Sequence, residues 1–268
     1  MKRVSILFVL LISVFVANAW HRQRDEAVVI VASKHLSPKA KKLVKKYLGS
    51  DYSDDVHYLY DTEKELAKQK KLKKGARNIH DLHLDKNLCP KSVKGEDSYK
   101  AINNSLEVVR NHKSHSKEEV RTALRVVINL ICDFHSVAKV RLDSYPHSYK
   151  PFSYTTQVRE WGPKSVLIKT HKWRTSWLKF DGGFPLFSPK YWAEDMEIFI
   201  GDKYADYSKG TLEDWATEVG TIAAYYLEFC KPDARVPYME FKSMEVVNYE
   251  LYVKAACRLA ALLNENLK

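Results

Sequence analysis

The residues best suited to metal or acid–base chemistry lie on one apolar segment, residues 123–135. Within it, Asn129 and Asp133 are spaced four apart, so a helix places them on one face. A polar group on a buried helix needs a partner. A metal ion, a hydrogen-bonding side chain or a buried water could each supply one, and the spacing does not choose between them.

Two further groups of metal-ligating residue types lie upstream of this segment. His80, His83 and Asp85 precede Cys89, and a tyrosine-rich acidic stretch ends at Asp61. Histidine and carboxylate side chains are common zinc ligands. Their scattered positions mean that the fold must bring them together before they can act.

The amino-terminal segment has the organisation of an export signal. A charged leader and a short apolar run end at Ala17 and Ala19, which match an A-x-A cleavage site. We expect residues 1–19 to be removed and Trp20 to become the first residue of a secreted or periplasmic protein. The free α-amino group of Trp20 could then chelate a metal; alternatively, Trp20 simply follows the cut. No later apolar run is long enough to predict a membrane span.

The chain is basic, with a formal net charge of +11. Lysines are concentrated in two runs, residues 39–46 and 68–74. Such runs attract phosphates and anionic surfaces, and they also occur as solvated helix faces. Residues 20–268 are expected to form one domain with a single core.

The four cysteines allow three full pairings in an exported chain. Cys132 and Cys257 lie in apolar helical patterns, where a buried thiol is expected. Cys89 and Cys230 lie beside prolines at loop edges. We therefore predict one disulfide, between Cys89 and Cys230.

Helical periodicity dominates the chain. The predicted helices cover residues of about 26–47, 62–74, 97–111, 116–139, 211–229 and 244–266. Between residues 141 and 210, prolines and glycines predict loops and short strands. The expected fold is mostly α, a single-domain helical bundle with a long irregular insertion.

The order of several motifs carries a family resemblance. These motifs are an amino-terminal Trp20, Tyr58-Leu59-Tyr60-Asp61, Ile79-His80 nine residues before Cys89, Ala101-Ile102-Asn103-Asn104, the helix over residues 123–139, and a terminal Arg258-Leu259-Ala260-Ala261-Leu262-Leu263-Asn264. The chain resembles the S-one/P-one type, single-strand-specific zinc nucleases of fungi and plants, which are related to bacterial phospholipase C. The resemblance implies a phospholipase C/nuclease-like helical fold that holds three zinc ions, which polarise a phosphodiester and activate a water.

The same resemblance implies a ligand set in which some positions are retained and others are altered. The retained ligands are Trp20, Asp61 (with Asp54 as second choice), His80, Asp133 and His171. The altered positions are Asp25, Asn129, Lys139 and Thr175, with a one-residue slip at Trp173 as the alternative match for the last. Asp81 replaces an aromatic residue that stacks on a base in the family.

The alterations differ in their consequences for zinc. Asp25 can still offer oxygen, whereas Asn129 is a weak neutral ligand. A protonated Lys139 cannot coordinate and repels a divalent cation. We therefore expect Lys139 to neutralise Asp133 in place of an ion, and Thr175 to leave His171 alone. The chain should bind fewer than three zinc ions, with none as the lower limit.

Two functional classes follow from this pattern. One is an exported hydrolase of single-stranded DNA, RNA or another phosphate ester, with Asp61 and Asp133 as catalytic residues. The other is a silent relative that serves as a binding or structural protein. The altered ligands favour weak or absent nuclease activity, and the sequence does not predict the oligomeric state.

Overall fold

A computed structural model describes residues 25–49, 52, 79–143, 165–167, 188–229 and 235–268. Its helices are α1 (residues 25–34), α2 (Pro38–Leu48), α3 (Ser98–Arg110), α4 (Lys117–Phe134), α5 (Pro189–Ile200), α6 (Tyr204–Tyr207), α7 (Leu212–Phe229) and α8 (Tyr238–Asn266). Helices account for 70% of the described residues, so the predicted mostly α class is confirmed.

Helix α4 lies at the centre of the helical packing. Helices α2, α3 and α8 all pack against it, and its apolar face is fully buried at Leu124 and Ile131. The described helices share one continuous hydrophobic core. Within the part of the chain that the structure describes, no helix has the length and apolar character needed to cross a bilayer.

Four short strands form two small pairs. Strand β1 (Leu82–Leu84) runs parallel to β2 (Val140–Leu142), and β3 (Ser165–Leu167) runs antiparallel to β4 (Arg235–Pro237). Helix α7 packs against β1 and β2. A Cβ at Gly220 of α7 would lie 2.3 Å from Leu84 Cδ1, so glycine is what permits this close approach.

The first predicted helix is interrupted. The prediction of one helix over residues 26–47 is wrong, because the chain turns at His35 and a new helix begins at Pro38. Ser37 accepts a hydrogen bond from the backbone N–H of Ala40 at 3.2 Å. Proline at the first helical position needs no hydrogen-bond acceptor for its nitrogen, so Ser37 and Pro38 together start a new helix.

The fourth predicted helix also ends early. Helix α4 stops at Phe134, and a separate 3-10 turn covers Val137–Lys139. The carbonyl of Ile131 accepts from both the backbone N–H and the ring Nδ1 of His135, at 3.2 and 2.8 Å. The chain then turns into β2, which agrees with the short strands predicted after residue 141.

The predicted irregular insertion contains regular structure. Helices α5 and α6 lie within residues 141–210, and the start of α5 is marked by Ser188, whose hydroxyl accepts from the N–H of Tyr191 at 3.3 Å. Helix α8 begins six residues earlier than predicted. The predictions for residues 97–111 and 211–229 agree closely with α3 and α7, and the helix predicted over 62–74 lies outside the described residues.

Candidate functional site

Three polar side chains meet where α4 ends and the first strand pair begins. Asp133 Oδ2 lies 2.5 Å from His80 Nδ1, and Asp133 Oδ1 lies 3.1 Å from Lys139 Nζ. The side chains of His80, Asp133 and Lys139 are 10, 22 and 25% exposed. We call this trio the Asp133 centre. The pairing of Lys139 with Asp133 that the altered ligand pattern predicted is present.

The early end of α4 makes this pairing possible. In a continuous helix, residues six apart point in directions about 120° apart, so Lys139 would lie on a different face from Asp133. The turn at Val137–Lys139 instead redirects the chain into β2. Strand β2 pairs with β1, which begins two residues after His80. This pairing places His80 near the end of α4.

The neighbouring basic groups keep the Asp133 carboxylate ionised. Burial alone would raise the pKa of Asp133, but the positive charge of Lys139 and the hydrogen bond from His80 outweigh it. The pKa of Asp133 is therefore held well below its usual range, and the group is an anion at neutral pH. Since this carboxylate carries no proton, His80 Nδ1 is the donor in their contact.

A second ion pair lies next to the Asp133 centre. Asp81 Oδ1 is 2.7 Å from the guanidinium of Arg141; in the chain, Asp81 directly follows His80, and Arg141 lies two residues after Lys139. Asp81 is thus engaged with a cation at the position where the family resemblance expects an aromatic residue. Sequence reasoning missed Arg141, and no local signal points to it, because its contact with Asp81 depends on the pairing of β1 with β2 and joins residues 60 positions apart.

His83 and Asp97 form a looser pair on the other side of β1. His83 Nδ1 and Asp97 Oδ2 are 3.6 Å apart, and both atoms are buried without a hydrogen-bond partner. The other oxygen of Asp97 accepts from the N–H of Lys100 at 2.9 Å and caps α3. Asp97 therefore has a structural role at the start of that helix.

Among the described residues, the side chains that contact the Asp133 carboxylate are His80 and Lys139, and a lysine ammonium is not a zinc ligand. Both carboxylate oxygens have a basic partner, and the Lys139 ammonium would repel a divalent cation. Among the described residues, no three histidine, cysteine, aspartate or glutamate side chains cluster in a way that could hold a metal. Asn129 is half-buried one turn before Asp133 on α4, and Asp25 is the first described residue of α1.

The remaining predicted site residues lie outside the described residues. They are Trp20, Asp61, His171, Thr175 and Cys230, together with the predicted signal segment 1–19. Of the predicted ligands, the structure therefore brings together His80 and Asp133. The predicted roles of the others stay predictions.

The cysteines agree with their predicted surroundings. Cys132 and Cys257 are buried and form no disulfide, and burial raises the pKa of Cys257 to about 12. Cys89 is exposed and carries no disulfide in the structure. Because its predicted partner Cys230 is not described, the bridge stays a prediction.

No protein-family model matches this chain, and a search of curated proteins finds no significant relative. The family resemblance therefore rests on the motifs in the sequence.

Proposed function

We propose that this chain is a divergent relative of the S-one/P-one type zinc nucleases in which hydrolysis of single-stranded DNA or RNA is weak or lost. The contact between Lys139 and Asp133, 3.1 Å long, carries the proposal. In the family pattern, the aspartate at this position bridges metal ions. Here a fixed ammonium neutralises it, which keeps the scaffold together but supplies no Lewis acid.

The charge balance of the site supports this reading. Two carboxylates, Asp133 and Asp81, are each matched with a cation, Lys139 and Arg141 respectively. A divalent ion would have to displace Lys139 and leave its ammonium in a partly buried position. Such a displacement costs more than binding to an open carboxylate pair.

Export forms part of the same proposal. The charged leader, the apolar run and the A-x-A site support removal of residues 1–19. Amino-terminal sequencing of the protein recovered from outside the cytosol should begin at Trp20. A chain that still begins at Met1 would contradict the proposal of export and remove the terminal chelate.

The decisive experiment measures zinc per chain and hydrolysis together. The purified mature protein should contain fewer than three zinc ions by elemental analysis and cleave single-stranded oligonucleotides slowly or not at all. Three bound ions with rapid cleavage of DNA or RNA would overturn the proposal.

A variant that restores the family's zinc ligands provides a second test. Asn129→His, Lys139→His, Thr175→Asp and Asp25→His together recreate the imidazole and carboxylate set that zinc prefers. This variant should bind more zinc than the wild type and gain hydrolysis. Lys139→His alone is the matched control, and it should change zinc content little because the other altered positions remain.

A further inference from the structure

Helix α2 presents a solvent face made of lysine. Lys39, Lys41, Lys42, Lys45 and Lys46 are all exposed, and the helix contains no acidic residue. Its buried residues, Ala40, Val44 and Tyr47, cluster on the opposite side. We call the five exposed lysines the α2 lysine face.

The positive surface continues beyond α2 onto the turn between α3 and α4. Tyr47 Oη lies 3.1 Å from His112 Nδ1, which joins α2 to that turn. Burial lowers the pKa of His112, and the charges of Lys113, Lys46 and Lys39 lower it further. The ammonium groups of these three lysines therefore lie close enough to the His112 imidazole to lower its pKa together.

The lysines of this face lack counter-ions within the described part of the chain. Some other exposed lysines do have a carboxylate partner: Lys91 Nζ lies 2.7 Å from Asp143, and Lys209 Nζ lies 2.6 Å from Asp206. No described ion pair uses a member of the α2 lysine face; Lys46 lies over the ring of Tyr47 at 5.1 Å from the centroid. An external polyanion can supply the missing charge.

We infer that the α2 lysine face binds the phosphodiester backbone of a nucleic acid. A helix that lies on a membrane buries an apolar face among the lipids, but the apolar face of α2 is already in the core. The exposed large apolar side chains of the described residues lie on other helices, at Tyr191, Ile198, Tyr225, Met239 and Val246. Contact through charge alone suits a phosphate backbone and gives binding that is independent of base sequence.

This surface is separate from the Asp133 centre. The carboxyl end of α2 touches the first half of α4, where Arg121 Nε donates to the carbonyl of Tyr47 at 3.0 Å. Asp133 follows twelve residues later on α4, about 18 Å along the helix axis. The choice of nucleic acid as the polyanion rests on the proposed function, whereas the charged face itself does not.

The test measures binding without hydrolysis. Fluorescence anisotropy of labelled single-stranded and duplex oligonucleotides of two unrelated base sequences is recorded with the mature protein in EDTA over a range of salt concentrations. The patch variant is Lys39→Gln, Lys42→Gln and Lys46→Gln. The matched control, Lys86→Gln, Lys190→Gln and Lys203→Gln, removes the same charge from exposed positions elsewhere.

The patch variant should lose affinity by about tenfold or more at low salt, and its slope of log affinity against log salt should become less steep by about 2 for single strands. The control variant should keep the steeper slope, and the two base sequences should bind alike. Circular dichroism of each variant checks that the fold is intact.

Two results would overturn the inference. One is equal loss of affinity in the patch and control variants, which would mean that net charge alone drives binding. The other is binding to phosphatidylglycerol vesicles but not to either oligonucleotide, which would assign the face to a lipid surface. Because EDTA prevents metal-dependent cleavage, neither result depends on whether the chain is a nuclease.

Discussion

Two charged regions of this protein pair carboxylates with basic groups but are built differently. At the Asp133 centre, the carboxylate of Asp133 contacts both the Lys139 ammonium and the His80 imidazole, which come from different segments of the chain. The second region, the Glu218 network, lies between α7 and α8 and contains Glu218, Glu250, Lys254 and Arg258. Lys254 Nζ lies 2.7 Å from Glu218 and 2.8 Å from Glu250, and Arg258 contacts the other oxygen of Glu218.

Arg258 is the most buried member of the Glu218 network. Arg258 is only 6% exposed, its Nε donates to the carbonyl of Tyr207, and its guanidinium lies 5.0 Å from the centre of the Trp215 ring. Two anions and two cations therefore balance inside a helix–helix contact. The comparison indicates that the Glu218 network joins two helices, whereas the Asp133 centre joins the end of α4 to the first strand pair; both regions are partly exposed.

His135 lies close to Asp133 in the chain but belongs to the surroundings of Arg258. It follows Asp133 by two residues, yet its ring lies 6.1 Å from that of Trp215 and experiences the charge of Arg258. One short stretch of chain thus contributes to both regions. Substitutions made separately in the Asp133 centre and in the Glu218 network can therefore distinguish the roles of the two regions.

The largest loss of stability should come from Glu218→Gln. The substitution leaves Arg258 buried without a carboxylate, so the free energy of unfolding should fall by about 3 kcal/mol. Urea denaturation measures the change. Glu107→Gln, which breaks the exposed 3.1 Å pair with Arg110, is the control and should cost less than about 1 kcal/mol. Equal losses would mean that the Glu218 network has no special role.

The next effect concerns the contact that positions β1 beside the Asp133 centre. Gly220→Ala would place a methyl group against Leu84 Cδ1, and it should lower the free energy of unfolding by about 1–3 kcal/mol. Leu84→Ala removes the opposing atom. The double variant should therefore cost less than the sum of the two single changes, and strict additivity would contradict the contact.

A smaller loss is expected at the Asp133 centre itself. Asp133→Asn removes the negative charge beside Lys139 and His80, but the side-chain amide oxygen of asparagine can still accept a hydrogen bond from either. The free energy of unfolding should fall by about 1–2 kcal/mol, less than for Glu218→Gln. A loss as large as that of Glu218→Gln would contradict this order.

The smallest effect at neutral pH should appear as a pH dependence. Burial lowers the pKa of His135 well below its usual value, and the charge of Arg258 adds to this. The contribution of His135 to stability is therefore complete above about pH 6.5 and is lost as the pH falls. The pKa of Asp133 is also lowered, so its contribution is lost only below about pH 3.9.

Between pH 6.5 and 4.5, His135→Gln should therefore flatten the dependence of unfolding free energy on pH by up to about 1.4 kcal/mol per pH unit. Glu107→Gln, which alters an exposed pair with Arg110, is the control and should leave this slope unchanged. Urea denaturation at several pH values measures both. An unchanged slope in the His135 variant would mean that its imidazole is protonated in the folded protein.

The sequence determined the elements whose signals are local. Apolar periodicity predicted α3 and α7 closely, because a helix repeats its buried face every three or four residues. The Glu250, Lys254 and Arg258 spacing also follows one helical face. The family resemblance implied a neutralising role for Lys139, since an ammonium cannot coordinate a metal and can replace the missing ion beside Asp133.

Only the tertiary structure decided how Lys139 comes to contact Asp133. A helix over residues 116–139 would have separated Lys139 from Asp133, and the end of α4 at Phe134 removes the conflict. The parallel register of β1 and β2 then brings in His80, and it pairs Asp81 with Arg141. These contacts join residues more than 50 positions apart, and their geometry depends on strand register and helix packing, which side-chain periodicity does not encode.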